Sequence, residues 1–388
     1  MRINYRELAG MYRDPEIGPR RTCSLLRESL ERKQVRPEDF SLREAAEDLL
    51  FDRQGDCCGR EFVRSLDPRQ DGLNLLEAGS AVDSSAFSNI TGQIVFSTVI
   101  EAFDDPMFIG DQLCTVVPSK LEWEKIPGVD RIGDDSATVD EGQPYTTVGV
   151  GQRYIETPRT TKRGMICPVT KEAIFFDRTG QVVERCREVG YWLGFNREMR
   201  ILYEALGNTT YASGYKENGT SYDTYQASTP WINTASNTLT DWTDINNAED
   251  KFWKMTDPSH GEYIQVSPDT VIVPTKLKGT AAIILGAAGV QIGGATNAAH
   301  YYTQGGNPIS GYKLVSGPNV YKATSSDATW YLGNPKKAFM YMENWPITVT
   351  QMGENSQASF ERDIVLQFKA SERGVTAVKQ PRYMVQNT

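Results

Sequence analysis

KEAIFFDRTGQVVERCREVGYWLGFNREMRILYEAL, residues 171–206, is the stretch on which the reading of the fold turns. From Gln181 onward Val182, Cys186, Val189 and Leu193 recur at helical spacing, with Trp192, Phe195, Met199, Leu202 and Leu206 on the flank of the same stripe. Arg185, Arg187, Glu188, Arg197, Glu198 and Arg200 fall off it. A long amphipathic helix with one apolar stripe and a charged back is expected, stopped by Gly207 and Asn208. Asp177, Arg178, Thr179 and Gly180 interrupt the pattern, so the segment before them is a short lead-in helix with a kink or a loop. Such periodicity reports burial; what flanks the helix gives it a meaning.

A chain of 388 residues with 39% hydrophobic content can bury sizeable cores, as two or three domains or one elaborated domain. Its formal net charge of -9 argues against a dedicated nucleic-acid binder, which carries a basic face. Of the cysteines, Cys57 and Cys58 are adjacent, and Cys23, Cys114, Cys167 and Cys186 form no CxxC pair and have no histidine nearby. Reduced, structural thiols are expected. The start MRINYRELAGMYRDP lacks the apolar core of a signal peptide, and no apolar run approaches the roughly 18 residues of a membrane span. Synthesis and folding in a cytoplasm follow as the expectation, and the sequons at Asn89, Asn208 and Asn218 are read as chance matches.

Residues 1–77 carry 14 Lys/Arg and 16 Asp/Glu, about twice the charge density of the remainder, and mark a separate helical module. Within it Cys23–Lys33 and Ser41–Phe51 read as short helices, the second opened by a capping box of Ser41 and Glu44. A small-residue linker from Glu77 feeds an amphipathic helix over Ile90–Phe103, ended by Asp104, Asp105 and Pro106, and Leu113–Pro118 is a short strand. Glu122–Arg163 is polar and rich in Gly, Thr, Asp and Pro. Leu121, Trp123 and Lys125 alternate outward from its base, and Arg153–Thr157 return. A long two-stranded excursion with an irregular tip fits, and such a hairpin needs packing on something else, such as a neighbouring subunit, unless it is an intramolecular flap. Met165–Val169 is a buried strand leading into the long helix.

Beyond the helix, residues 208–237 form an ordered, aromatic-bearing loop surface with a turn at Asn218-Gly219. Helices over Trp242–Met255 and Thr275–Ala287 interleave with strands over Thr270–Pro274 and Tyr312–Ser316, and with a strand, turn and strand over Asp327–Tyr341. This describes an α/β-type region of mixed sheet. The tail alternates from Arg362 as a half-buried strand, breaks at Arg373-Gly374, and resumes as a strand over Val375–Val378 before Pro381.

Chemistry is scarce. The two histidines, His260 and His300, stand in polar contexts without a paired acid, so neither a histidine-based triad nor a multi-histidine metal site can be assembled away from them. Gly286–Gly294 matches neither a dinucleotide fingerprint nor a phosphate loop and reads as a flexible loop. Asp104-Asp105, Asp134-Asp135 and Asp140-Glu141 read as solvated loop charge, with a cation at Asp134–Glu141 as the lesser alternative. No cofactor, metal site or catalytic residue is expected.

The ordered set of SAFSNITGQIVFSTVIEAF (85–103), KIPGVDRIGDD (125–135), KRGMICPVTKEAIFFDRTGQ (162–181), the helix through WLGFNREMRIL, and the ending IVLQFKASERGVTAVKQPRYMV resembles the Hong Kong 97-type major capsid proteins of tailed phages, in particular the Mu-like prophage head-subunit branch. The likeness covers roughly residues 78–388. It implies an α+β fold with a charged helical N-terminal arm or assembly segment at 1–77, a linker and helix at 78–121, and an extended loop at 122–163. A peripheral domain built on the spine helix would take 164–207 and 341–388, and an axial domain 208–340. By the same likeness Trp123, Lys125, Arg131, Tyr145, Arg153, Tyr154 and Arg163 would touch neighbouring subunits. The partners implied are further copies in pentameric and hexameric capsomers, with scaffold, maturation protease, portal and decoration proteins, and packaged double-stranded DNA bound without sequence specificity. Neither a membrane nor catalysis is implied, and the product is a virion shell assembled in the host bacterial cytoplasm. An encapsulin-like nanocompartment shell of the same fold is the alternative, and a monomeric hydrolase or binding module with a flap a more distant one.

Overall fold

The computed structural model describes residues 5–14, 16–37, 40–42, 44–45, 81–129, 139, 143, 152–176, 178–256, 263–264, 266–287, 289–292, 303–307, 309, 311–352 and 364–388. The chain forms two compact units. The first comprises Met1–Asp105, Lys162–Phe195 and Trp345–Glu372; the second comprises Pro106–Thr161, Asn196–Asn344 and Arg373–Thr388.

In the first unit a core gathers Leu26, Leu30, Phe40 and Leu42 with Ile90, Ile94, Val95, Val99 and Phe103, and with Val169, Cys186, Leu193, Leu366 and Phe368. The helix Ala81–Phe103 extends the predicted amphipathic segment toward its N-terminus. It buries Ile90, Ile94, Val95, Thr98 and Val99, residues that share one face at a 3.6-residue repeat. On it lies the helix Gly18–Glu31, which buries Thr22, Leu26 and Leu30 at every fourth position. Arg27 donates to Gln93 Oε1 at 3.0 and 3.2 Å and stands 4.8 Å from the Phe96 ring centroid. As the expected capping box requires, the Glu44 amide donates to Ser41 Oγ at 3.2 Å. Strand Thr161–Thr170 edges a sheet in this unit, followed by the 364–372 part of strand Ile364–Val378 and the 345–352 part of strand Phe339–Met352.

The long helix runs Thr179–Ala205, preceded by a one-turn helix Lys171–Phe175 whose N-cap Thr170 accepts from the Ala173 amide. The two helices are thus separate, with Thr179 and Gly180, read as part of the interruption, opening the second. At the far end Gly207 adopts φ +64°, the Asn208 amide donates to the Tyr203 carbonyl at 2.9 Å, and Gly207 to Glu204 at 3.3 Å. This is a Schellman stop at the predicted place. Two expectations for the helix fail. Trp192, placed on the buried flank, is 51% exposed and stacks edge-on with Phe195 at 5.6 Å. Glu198, assigned to the charged back, is buried: its carboxylate accepts from the amides of Ile109 at 3.0 Å and Gly110 at 2.6 Å. A 3.6-residue pattern locates the apolar stripe but does not reveal which polar residue meets backbone donors from a distant segment.

In the second unit a five-stranded sheet is ordered Lys313–Gly317, Thr270–Pro274, Trp330–Gly333, Met384–Asn387 and Thr234–Ala235. TVIVP is buried at all five positions, as a central strand between two neighbours must be. Helices Trp242–Trp253 and Lys278–Gly286 supply Ile245, Ala248, Phe252, Ala281, Ile284 and Leu285 to its core, beside Trp330 and Leu332. The terminal strand pairs antiparallel with Trp330–Gly333 and parallel with Thr234–Ala235.

Three sequence readings in the tail and loops are corrected. Strand Ile364–Val378 is continuous, without a break at Arg373-Gly374. Gly374 is there because a Cβ would stand 2.5 Å from Tyr341 Oη, so the glycine marks a close approach within a strand. After Trp330–Gly333 the chain makes a one-turn helix, Pro335–Ala338, capped by Asn334, before strand Phe339–Met352. Within the glycine-rich segment Gly289–Ile292 is a strand, paired antiparallel with Thr303–Gly306. His260, His300, Cys57, Cys58 and the carboxylates at 134, 135, 140 and 141 lie outside the described residues.

Candidate assembly surface

The extended segment is flanked by strands Lys125–Val129 and Gln152–Glu156, in antiparallel register Lys125↔Glu156 through Val129↔Gln152. Pro127 interrupts an otherwise regular donor row, which is tolerated because Lys125–Val129 is an edge strand. The returning strand is not an edge. It pairs at Ile155↔Glu217 with the hairpin Tyr215–Glu217/Thr220–Tyr222, giving a four-stranded sheet.

That second hairpin turns on Asn218 and Gly219, with φ +49° and +84°, the left-handed pair that an Asn-Gly type I′ turn demands. The same turn clasps the returning strand: the Asn218 amide donates to the Tyr154 carbonyl at 3.0 Å, and the Tyr154 amide donates to Asn218 Oδ1 at 3.1 Å. The base of the excursion is therefore steadied within the chain, where the sequence suggested a neighbour. Its tip lies outside the described residues, apart from Val139 and Gln143.

Three of the predicted contact residues come together at this base. Lys125 Nζ stands 4.5 Å from the Tyr154 ring centroid and 5.8 Å from that of Trp123, within cation–π range. Trp123 is 42% exposed. Glu156 lies between Lys125 at 3.4 Å and Lys216 at 2.5 Å. The Lys216 hydrogen bond first, and the Lys125 hydrogen bond after it, hold the Glu156 carboxyl below the usual carboxylate range. Arg153 meets Glu217 at 3.3 Å. Arg163 is exposed on strand Thr161–Thr170 of the first unit, and Arg131 and Tyr145 lie outside the described residues. Glu156, Lys216 and Glu217 were missed as partners by sequence reasoning; the Asn-Gly turn signalled a hairpin but not the strand on which it would dock.

Nothing in this arrangement pairs a nucleophile with a base. A polar pocket of about 240 Å³ in the same unit is lined by Asn208, Ser213, Ser221, Asp223, Thr224 and Gln226, a set with one carboxylate and no imidazole or thiol. Among the described residues no cluster of three His, Cys, Asp or Glu side chains is placed to hold a metal, and no helix is long and apolar enough to cross a membrane.

A family model described as phage capsid protein matches residues 154–387, from the returning strand of the excursion to the terminal strand of the five-stranded sheet. The chain belongs to the phage capsid protein family. The match bears out the sequence's resemblance to a phage capsid protein and makes the role structural rather than enzymatic, and the mixed helices and strands are those of an α+β fold. The capsid chain's place is the virion, in a shell built of its own copies. No curated protein matches it in sequence. Among solved structures it is similar to a chain of Gordonia phage Cozz (10% identity, 72% of this chain and 85% of that one, TM-score 0.46). It is similar also to one of Mycobacterium phage Bobi (13%, 72% and 90%, TM-score 0.42) and to a virus-like particle from Pyrococcus furiosus (11%, 76% and 98%, TM-score 0.41).

Proposed function

We propose that this capsid protein is the major head subunit of a Mu-like phage or prophage and that it closes an icosahedral shell around double-stranded DNA from pentameric and hexameric capsomers. The observation that carries the reading is the base of the excursion: an aromatic and cationic surface of exposed Trp123 and Lys125 with half-buried Tyr154, fixed by a four-stranded sheet. A rigid base projecting a long loop offers contact area at little ordering cost, and obligate interfaces bury roughly 2,000 Å² or more.

In this reading 122–163 is the extended loop laid on a neighbouring subunit, with Trp123, Lys125, Arg131, Tyr145, Arg153, Tyr154 and Arg163 in the contact. Residues 164–207 and 341–388 are the peripheral stretches and 208–340 the axial one, except that the terminal strand Met384–Asn387 pairs with Trp330–Gly333 and goes with 208–340; 1–77 are the N-terminal arm and 78–121 the linker and helix. Assembly takes place in the host bacterial cytoplasm. Scaffold, maturation protease, portal and decoration proteins complete the particle. DNA meets an interior that needs no sequence readout, in keeping with the acidic net charge of -9. The nanocompartment alternative has no observation of its own in its favour.

The test is negative-stain microscopy with light scattering on the protein expressed alone and together with its neighbouring genes. Closed particles or ring-shaped capsomers are expected, with DNA inside the particles made in the phage context. A monomer under both conditions would overturn the assembly reading, and shells that always lack DNA would overturn the packaging reading.

A further inference from the structure

Cys186 Sγ and Cys167 Sγ stand 3.3 Å apart, closer than two sulfurs in simple van der Waals contact. Cys167 is on strand Thr161–Thr170 and Cys186 on helix Thr179–Ala205, both inside the core of the first unit and 4% and 0% exposed. Both thiols are free. Cys114, by contrast, donates to the Gly110 carbonyl at 3.4 Å, and burial pushes its thiol up to about 12. A buried hydrocarbon core has no need of two sulfurs in register. Alanine or valine would fill the space, so the pairing of two reactive atoms is the feature that calls for a role.

We propose that Cys167 and Cys186 form an oxidation site at which a peroxide converts the two thiols to an intrachain disulfide, stapling the strand to the long helix. The Cys186 S–H donates to the Cys167 sulfur, which holds the Cys167 thiol below its usual range and makes it the nucleophile. Its sulfur attacks one peroxide oxygen, the O–O bond breaks, and the leaving hydroxide takes a proton to become water. Sulfur is now a sulfenic acid. The Cys186 sulfur attacks it, the S–O bond breaks, and the oxygen departs as a second water with the Cys186 proton. Two thiols and one peroxide give one disulfide and two waters, and the two electrons pass from sulfur to oxygen. A peroxide is small enough to reach a site closed to bulky disulfide reagents. The sulfurs must close from 3.3 Å to about 2.05 Å, a shift on the scale of side-chain rotation. In a reducing cytoplasm the pair stays as thiols; outside the cell nothing returns the bond.

The experiment treats the full folded chain with hydrogen peroxide, maps its peptides by mass spectrometry and records thermal midpoints. Expected are a Cys167–Cys186 linked peptide lighter by about 2 Da than the two thiol peptides, and a midpoint raised by roughly 5 °C or more that a phosphine reductant reverses. Sulfinic or sulfonic acid at either residue, or unchanged thiols, would overturn the proposal, as would a linked peptide without a rise. In Cys167→Ala and Cys186→Ala the peroxide-induced rise should vanish. A rise that persists in either variant would place the staple elsewhere and sink the idea.

Discussion

Asn233 is wholly buried in the second unit, and its side-chain amide uses both its donor and its acceptor end. Nδ2 donates to the carbonyls of Thr224 at 3.0 Å and of Pro381 and Met384 at 3.2 Å, while Oδ1 accepts from the Gln226 amide at 2.6 Å. One side chain thus ties the loop before Thr234–Ala235 to the start of the terminal strand. Asn233→Asp is nearly isosteric but turns the donor into an acceptor facing three carbonyls, and buries a charge. It should cost about 2–4 kcal/mol, read as a fall in thermal midpoint; an unchanged midpoint would mean that these contacts add nothing net. Gly190 makes a different point. A Cβ there would stand 2.3 Å from the Val99 carbonyl oxygen, so the long helix and Ala81–Phe103 approach backbone to backbone. Gly190→Ala, which in an isolated helix would stabilise, should here destabilise by about 1–3 kcal/mol, measurable by denaturant melts.

The long helix carries two buried carboxylates among its elements of order. Glu198 holds the amides of Ile109 and Gly110, and Glu204 those of Ser213 at 2.5 Å and Gly214 at 3.2 Å. Both have their protonation range raised, chiefly by burial, with the backbone donors pulling the other way. The sign for stability follows. A folded carboxyl that titrates above its unfolded counterpart binds more protons in the native state, so its favourable contribution is complete below the unfolded value of about pH 4.3. That contribution is lost as pH rises through the raised folded value. Comparing wild type with Glu198→Gln in melts from acid to neutral pH, the wild-type margin should narrow with rising pH. A widening margin would show the backbone donors outweighing burial. The last carbonyls of the helix are closed in another way: Tyr225 Oη donates to Ala205 at 2.6 Å and Tyr331 Oη to Leu206 at 3.0 Å. A helix end so fully satisfied belongs to a rigid scaffold rather than to a hinge.

For the whole molecule, the strands at the foot of the 122–163 segment are held by contacts within the second unit. The strands Lys125–Val129 and Gln152–Glu156 are held by Asn218 and the hairpin around it, so the segment between them can be shortened without unmaking the sheet. Deleting Asp130–Thr146 should leave the thermal midpoint within a few degrees of the parent and abolish closed shells. Scattering checks the first outcome for aggregation and microscopy reads the second; normal particles would end the extended-loop assignment.

By itself the sequence determined the local elements and their kind. The 3.6-residue repeat from Gln181 gave the long helix, Gly207-Asn208 its stop, TVIVP a buried strand, and Asn218-Gly219 a turn, because each is decided by residues a few positions apart. The ordered set of such stretches also carried the capsid resemblance that the family match upholds. Only the tertiary structure decided which distant partners meet. It placed Glu198 on the amides of Ile109 and Gly110, Asn218 on Tyr154, Gly374 against Tyr341, and MVQN of the chain end inside the five-stranded sheet. Those choices depend on backbone donors, register and close approach between distant segments, as between Asn233 and Met384, 151 residues apart, and no periodicity along the chain encodes them.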